Sequence, residues 1–356
     1  MFSVTSLGFL PFMALFACLW YRVPQPSRWK LVLAANAVFC LSIDIGAFFA
    51  VALATAVVWQ AAQHAQPEQP SRRGWLALGL AAALLPLLVL KYSGMLVPGL
   101  RDLYKPFGLA YYSLQLAGYL LDVWHGRTAP APSYARLWCY AGFFLSLTQG
   151  PFNRYNTLMP QLEAAPKTFE TQRLVSGLQR SAWGYFKKFA IADRAAIVVS
   201  AAFADPASFD RSQLIFATVM YSFQLYADFS GYTDIVLGMG EILGLHLPEN
   251  FRQPFFSASV KELWARWHIS LSQWFRDYVY IPLGGNRKGI ARRDANLLLT
   301  FLVSGLWHGA NWTFLVWGGL HGLCQVAEDH MPAPLRKRKS LPLRIVGVPL
   351  TFAIFV

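Results

Sequence analysis

The stretch Ser304-Gly-Leu-Trp-His-Gly-Ala-Asn-Trp312 lies inside an apolar run from Leu297 to Leu320 whose one titratable side chain is His308. A run of that length can cross a bilayer as a helix. An ionisable group at membrane depth costs stability, so it is a functional-site hypothesis by default. On an unbroken helix, Ser304 and Asn311, four before and three after His308, share its face, and Asn311 could orient the imidazole. His321 falls on a different face of the same straight helix. The pairs Gly305/Gly309 and Gly318/Gly322 place small residues where neighbouring backbones can approach closely.

The rest of the chain fits that setting. Of 356 residues, 55% are hydrophobic and 14% charged, more apolar than a soluble core of this size needs. The net charge of +13 sits in short clusters between apolar runs: Arg28 and Lys30, Arg72 and Arg73, Lys187 and Lys188, Arg287 to Arg293, and Arg336 to Lys339. Such clusters mark cytoplasmic loops. Nucleic-acid binding is the rival explanation of a pI near 9.7, but the cations form no continuous stripe, so no nucleic-acid partner is expected. Cys18, Cys40, Cys139 and Cys324 show no CxxC spacing and read as small buried hydrophobes.

Apolar segments run over Leu7–Trp20, Trp75–Leu90, Phe107–Leu121, Trp138–Leu147, Ile191–Phe203, Leu214–Leu225 and Leu297–Leu320. Several fall short of the roughly 20 residues of a perpendicular span, which predicts tilted, broken or re-entrant helices packed inside a bundle. Leu31 to Gln60 as one helix would put two basic clusters on opposite sides of the membrane. Two short passes turning near Asp44 keep both cytoplasmic, and the amino terminus then faces outward. Leu7–Trp20 has no basic n-region before it and no small-residue cleavage site, so it reads as a retained span. The final apolar run, from Ile345, has 12 residues, and we expect the chain to be cut within a span. The expected class is all-α, a polytopic membrane bundle forming a single domain over residues 1–356.

Lys261 to Tyr280 has helical periodicity, with Trp264, Trp267, Leu271, Trp274, Phe275 and Tyr278 on one face and Arg266, Ser270, Gln273 and Asp277 on another. His268 lands within the aromatic face. Alone it would read as a core histidine bonded to a carbonyl, but a second histidine in an apolar span favours function. Asp228 and Asp234, with Ser230 and Tyr232 between them, either line a polar cavity or form a re-entrant turn. The loop Pro282-Leu-Gly-Gly-Asn-Arg-Lys-Gly289 has cations and glycines that could meet a phosphate, although a plain positive-inside loop explains it too.

Four ordered blocks carry a resemblance: Pro248-Glu-Asn-Phe-Arg-Gln-Pro-Phe255, Trp264-Ala-Arg-Trp-His-Ile-Ser-Leu-Ser272, Arg276-Asp-Tyr-Val-Tyr-Ile-Pro-Leu-Gly-Gly-Asn-Arg287 and Gly305-Leu-Trp-His-Gly-Ala-Asn-Trp312. They are similar to the signature blocks of membrane-bound O-acyltransferases, in particular the bacterial branch concerned with alginate O-acetylation and, more distantly, teichoic-acid D-alanylation. The similarity runs from about residue 111 to residue 322. It implies helices around a central funnel or tunnel, with His308 catalytic and His268 the other active histidine. Asn250, Asp228, Trp307 and Asn311 become substrate-side candidates. Arg287, with Lys288, Arg292 and Arg293, would meet the phosphates of acetyl-CoA.

The resemblance further implies a multi-pass protein of the bacterial inner membrane, with lipid around it and no metal or tightly bound cofactor. An extracytoplasmic esterase-like (SGNH) partner would pass the acyl group to a polysaccharide. Chemically, the thioester is already activated, and a neutral imidazole with an ordinary pKa of about 6.5 can take the attacking hydroxyl's proton. Two rivals come from other classes. A transporter or channel would also hold intramembrane His and Asp, but no internal repeat is seen. A haem protein would need His268 and His308 to face each other across the cofactor.

Overall fold

The structure, a computed structural model, describes residues 3–100, 102–164, 168–332, 335 and 341–356. The basic cluster at 336–339 lies outside the described residues. Among those residues the regular elements are all helices, and the one strand-like pairing is an isolated antiparallel bridge between Phe251 and Trp267. It divides into two compact units, Met1–Gln179 with Val236–Pro248, and Arg180–Ile235 with Glu249–Val356.

The first unit begins with α1 (Phe9–Arg22), α2 (Arg28–Ile43), α3 (Ile45–His64), α4 (Arg72–Leu96), α5 (Leu109–Trp124), α6 (Tyr134–Ala141) and α7 (Tyr155–Ala164). The turn expected near Asp44 is there: Asp44 caps α3, its carboxylate accepting the Gly46 N–H at 2.9 Å, the Phe107 N–H at 3.1 Å and the Tyr104 hydroxyl. α3 and α4 are long and apolar enough to cross a membrane. Their outward leucines and phenylalanines, among them Phe49, Leu53, Leu85 and Leu88, are exposed, as on a surface that meets lipid. The expected span over Phe107–Leu121 instead forms α5, buried on nearly every side as a core pillar. In Trp138–Leu147 the helix stops at Ala141, and the buried segment beyond it is irregular. Side chains supply its missing partners, since Asn36 accepts the Phe144 N–H and donates to the Cys139 carbonyl, both at 3.0 Å.

α8 (Thr171–Phe186) and α10 (Arg211–Ile242) are each divided between the units. The second unit adds a π-helical turn over Lys187–Ala192, α9 (Asp193–Ala204), α11 (Val260–Arg266), α12 (Ile269–Phe275), a second π-turn over Arg276–Tyr280, α13 (Ile290–His308), α14 (Trp312–His330) and α15 (Leu341–Phe355). Three expectations are corrected here. Leu297–Leu320 is not one helix: α13 ends at His308, Gly309 is extended, and Asn311 caps α14, so the run folds into a hairpin. Gly305 and Gly318 allow its two arms to touch, because a Cβ on either would strike a backbone carbonyl of the other arm.

Lys261–Tyr280 is likewise not one helix, for the backbone turns left-handed at His268 between α11 and α12. Asp228 and Asp234 lie within the continuous α10 rather than in a re-entrant turn. Lysines of the π-turn and Arg180 neutralise them there. Of the seven apolar segments, only the one carried by α4 falls in a helix that satisfies the length and hydropathy of a span, together with α3.

Candidate active site

His268 owes its position to a strained backbone. With φ 43° and ψ 53° it occupies the left-handed region, which a β-carbon disfavours. The segment around Asn250 holds it there. Arg252 N–H donates to the Arg266 carbonyl at 3.0 Å, and Ile269 N–H donates to the Asn250 carbonyl at 3.0 Å. These bonds flank the Phe251–Trp267 bridge. The fully buried Asn250 carboxamide oxygen then accepts the Ser270 hydroxyl at 2.6 Å and the Ser270 N–H at 3.3 Å. Asn250 thereby grips the first turn of α12 on the far side of the kink.

The start of α11 is anchored as firmly. Ser259 and Glu262 have the spacing of a capping box, with Ser259 Oγ accepting the Glu262 N–H at 3.0 Å and Glu262 reaching back to the Ala258 N–H at 2.8 Å. From α14 the buried Glu328 carboxylate accepts the Val260 and Lys261 N–H groups at 2.9 and 3.1 Å. A carboxylate at a helix N-terminus is favoured by the exposed donors there. Nothing in the hydropathy of α14 points to this role, so Glu328 was not foreseen.

The kink and the hairpin bring the two histidines together. The His268 and His308 rings lie 6.2 Å apart between centroids, and Trp307 is 6.0 Å from His268. Phe229 and His268 meet at right angles with centroids 4.7 Å apart, and Trp317 packs on His308 at 5.3 Å. His268 is 1% exposed, whereas His308 lines a cavity of about 480 Å³ with Trp267, Trp317, Phe229, Phe314 and Phe355. Phe229 and Trp317 are further neighbours of the histidines that sequence reasoning missed. Each looks like an ordinary aromatic in an apolar helix.

The other candidates are distributed differently. Asn311 turns its carboxamide to the first turn of α14, where Oδ1 accepts the Thr313 N–H at 3.4 Å. The face it was expected to share with His308 ends at the hairpin turn. Asp228 pairs with Lys188 at 2.7 Å and does not line the His308 cavity. Arg287 is exposed on the 282–289 loop, whose carbonyls at Leu283 and Gly285 accept from Asn296 Nδ2 at 3.2 and 3.0 Å. Close to that loop, a second cavity of about 280 Å³ is lined by Arg276, Tyr280, Lys261 and Ser304, among others.

A histidine on an aromatic cavity beside a second, buried histidine can exchange protons in a water-poor setting. The model of the membrane-bound O-acyltransferase family matches residues 89–352. The probable alginate O-acetylase of Azotobacter vinelandii is 35% identical over 97% of this chain and 72% of its own length. Its counterpart in Pseudomonas fluorescens is also 35% identical, over 96% and 69%. The peptidoglycan O-acetyltransferase of Helicobacter pylori is 32% identical over 81% and 62%. Motif blocks, helical architecture and these similarities converge: the chain is an integral membrane protein and an O-acyltransferase of the membrane-bound O-acyltransferase family.

Proposed function

We propose that the protein transfers an acetyl group from cytoplasmic acetyl-CoA to a hydroxyl on the far side of a bacterial inner membrane. His308 is the general base. The observation that carries this reading is the placement of His308 at the end of α13, on an aromatic cavity and 6.2 Å from His268. In the reaction, the neutral imidazole takes the proton of the attacking hydroxyl as its oxygen bonds to the thioester carbonyl carbon. The tetrahedral intermediate collapses by breaking the C–S bond, and the imidazolium returns the proton to the departing thiolate. His268, held by the Asn250 grip, orients the thioester or the hydroxyl.

The names of the relatives support a polysaccharide or glycan as the final acceptor. The acetyl group reaches it through an extracytoplasmic, esterase-like partner protein. On the donor side, the smaller cavity takes the pantetheine arm, and Arg287, Lys288, Arg292 and Arg293 meet the nucleotide phosphates. The two cavities together make the tunnel through which the thioester meets its acceptor.

The test is transfer of radiolabelled acetyl from acetyl-CoA in membranes containing the wild type or His308→Ala. Loss of a positioned general base lowers the rate by about 10²- to 10⁴-fold. Label reaching a protein or polysaccharide with the wild type alone is the expected result. Undiminished transfer by a folded His308→Ala protein overturns the assignment.

A further inference from the structure

The cavity of His308 and the cavity of Ser304 open one helical turn apart on α13, yet no residue lines both. Two indoles stand between them. Trp264 lines the smaller cavity and Trp317 the larger, and their rings meet edge to face with centroids 5.5 Å apart and planes at 72°. Phe301 backs Trp264 at 5.4 Å, on the side of the smaller cavity.

His321 forms the third corner of this cluster. It is fully buried, lines neither cavity, and lies 5.3 Å from Trp264 and 4.9 Å from Trp317. Its Nδ1 accepts the Trp264 indole N–H at 3.4 Å, so the ring proton belongs on Nε2. No hydrogen-bond partner for Nε2 is found among the described residues. A bond of 3.4 Å is at the long end of the hydrogen-bond range, so it orients the indole without locking it. The Gly305–Gly318 contact keeps α13 and α14 tight beside it, which leaves side-chain rotation as the way to open a passage.

We infer that the Trp264 indole is the partition between the two cavities, and that His321 is the positioning residue that holds it in place. The inference rests on the reading that an acyl thioester enters by the smaller cavity. For its carbonyl carbon to reach His308, the thioester has to pass the indole edge. A two-carbon acyl group needs only a small displacement of that edge, and a longer chain needs the indole to swing away. Trp264 thereby sets the acyl length the enzyme accepts, and His321 acts on the reaction only through Trp264.

The experiment compares transfer from acetyl-, butyryl- and hexanoyl-CoA in membranes carrying the full chain. Trp264→Ala is expected to raise the hexanoyl-to-acetyl rate ratio about tenfold, and Trp264→Phe about threefold, the scale on which pockets discriminate by added methylenes. His321→Leu, which removes the acceptor, should shift the ratio in the same direction. His321→Gln, whose Oε1 can accept the indole N–H, should keep the wild-type ratio.

Elution of each variant as a folded species is checked first, and Trp264→Phe decides if Trp264→Ala does not fold. An unchanged ratio in a folded Trp264 variant overturns the proposal, and so does an equal loss with every donor in both His321 variants. A wild type that transfers from none of the three thioesters defeats the donor reading itself, and the partition falls with it.

Discussion

Two breaks in otherwise helical runs, one at Asp44 and one at His268, are built in opposite ways. At Asp44 the residue at the break makes it: the carboxylate caps α3 and gathers the N–H groups of Gly46 and Phe107. At His268 the residue at the break resists it. A side chain with a β-carbon is held left-handed by Asn250, eighteen positions earlier in the chain. The first break serves architecture and carries its own stabilisation. The second stores strain beside the candidate base, and strain of that kind persists where the surroundings over-determine it.

That contrast can be tested by removing each break's support. The largest effect is expected from Asn250→Ala, which removes the buried carboxamide oxygen that accepts the Ser270 N–H and hydroxyl. The cost should be about 2–3 kcal/mol. Loosening His268 should also lower acyl transfer by about 10²-fold, the scale of a small misplacement of reacting groups. Thermal unfolding in detergent and the acetyl-transfer assay read the two effects. A stable, fully active Asn250→Ala protein would show that the kink does not need its grip.

Asp44→Ala should cost less, about 1 kcal/mol as for other lost N-caps. Transfer should stay near the wild-type rate once the protein is folded. Reduced transfer at unchanged stability would erase the distinction between an architectural and a functional break.

The smallest effect is one of pH. Burial pushes the Asp44 carboxyl up, but hydrogen bonds from Tyr104 and the Phe107, Ala47 and Gly46 N–H groups outweigh it and hold the carboxyl below its ordinary value. A depressed carboxyl contributes stability that is fully present above the unfolded value of about 3.9 and is lost as pH falls through the lower folded value. Melting temperature should therefore be insensitive to Asp44 between about pH 5 and pH 8 and drop in more acidic solution. Asp44→Asn should flatten the acidic drop. A wild-type loss centred at neutral pH would have to come from another group.

How far the chain could be read follows the same division. The Asp44 turn was legible because its signals are local, namely an acid between apolar runs and cations on both sides. The apolar character of α4 and the small residues Gly305 and Gly318 were legible for the same reason. The α13–α14 turn was half legible: Gly309 and Asn311 are stop and start residues, yet hydropathy does not register a reversal inside an apolar run. Asp228 and Asp234 could be read as lining a polar cavity or as forming a re-entrant turn, because their countercharges lie some forty residues or more upstream, on Lys188, Lys187 and Arg180. The kink at His268 left no local trace at all, since periodicity runs straight through it.

By itself, the sequence determined the membrane class, the helical content, the acyltransferase blocks and the presence of two histidines in apolar surroundings. Those properties depend on composition and on residues near one another in the chain. Only the tertiary structure decided that the long apolar run reverses at His308, that Asn250 turns the backbone at His268, and that Trp264 and Trp317 stand between two cavities. The physical reason is that each of these rests on hydrogen bonds or ring contacts between residues many positions apart. The pattern of apolar and polar residues allows such contacts without specifying them.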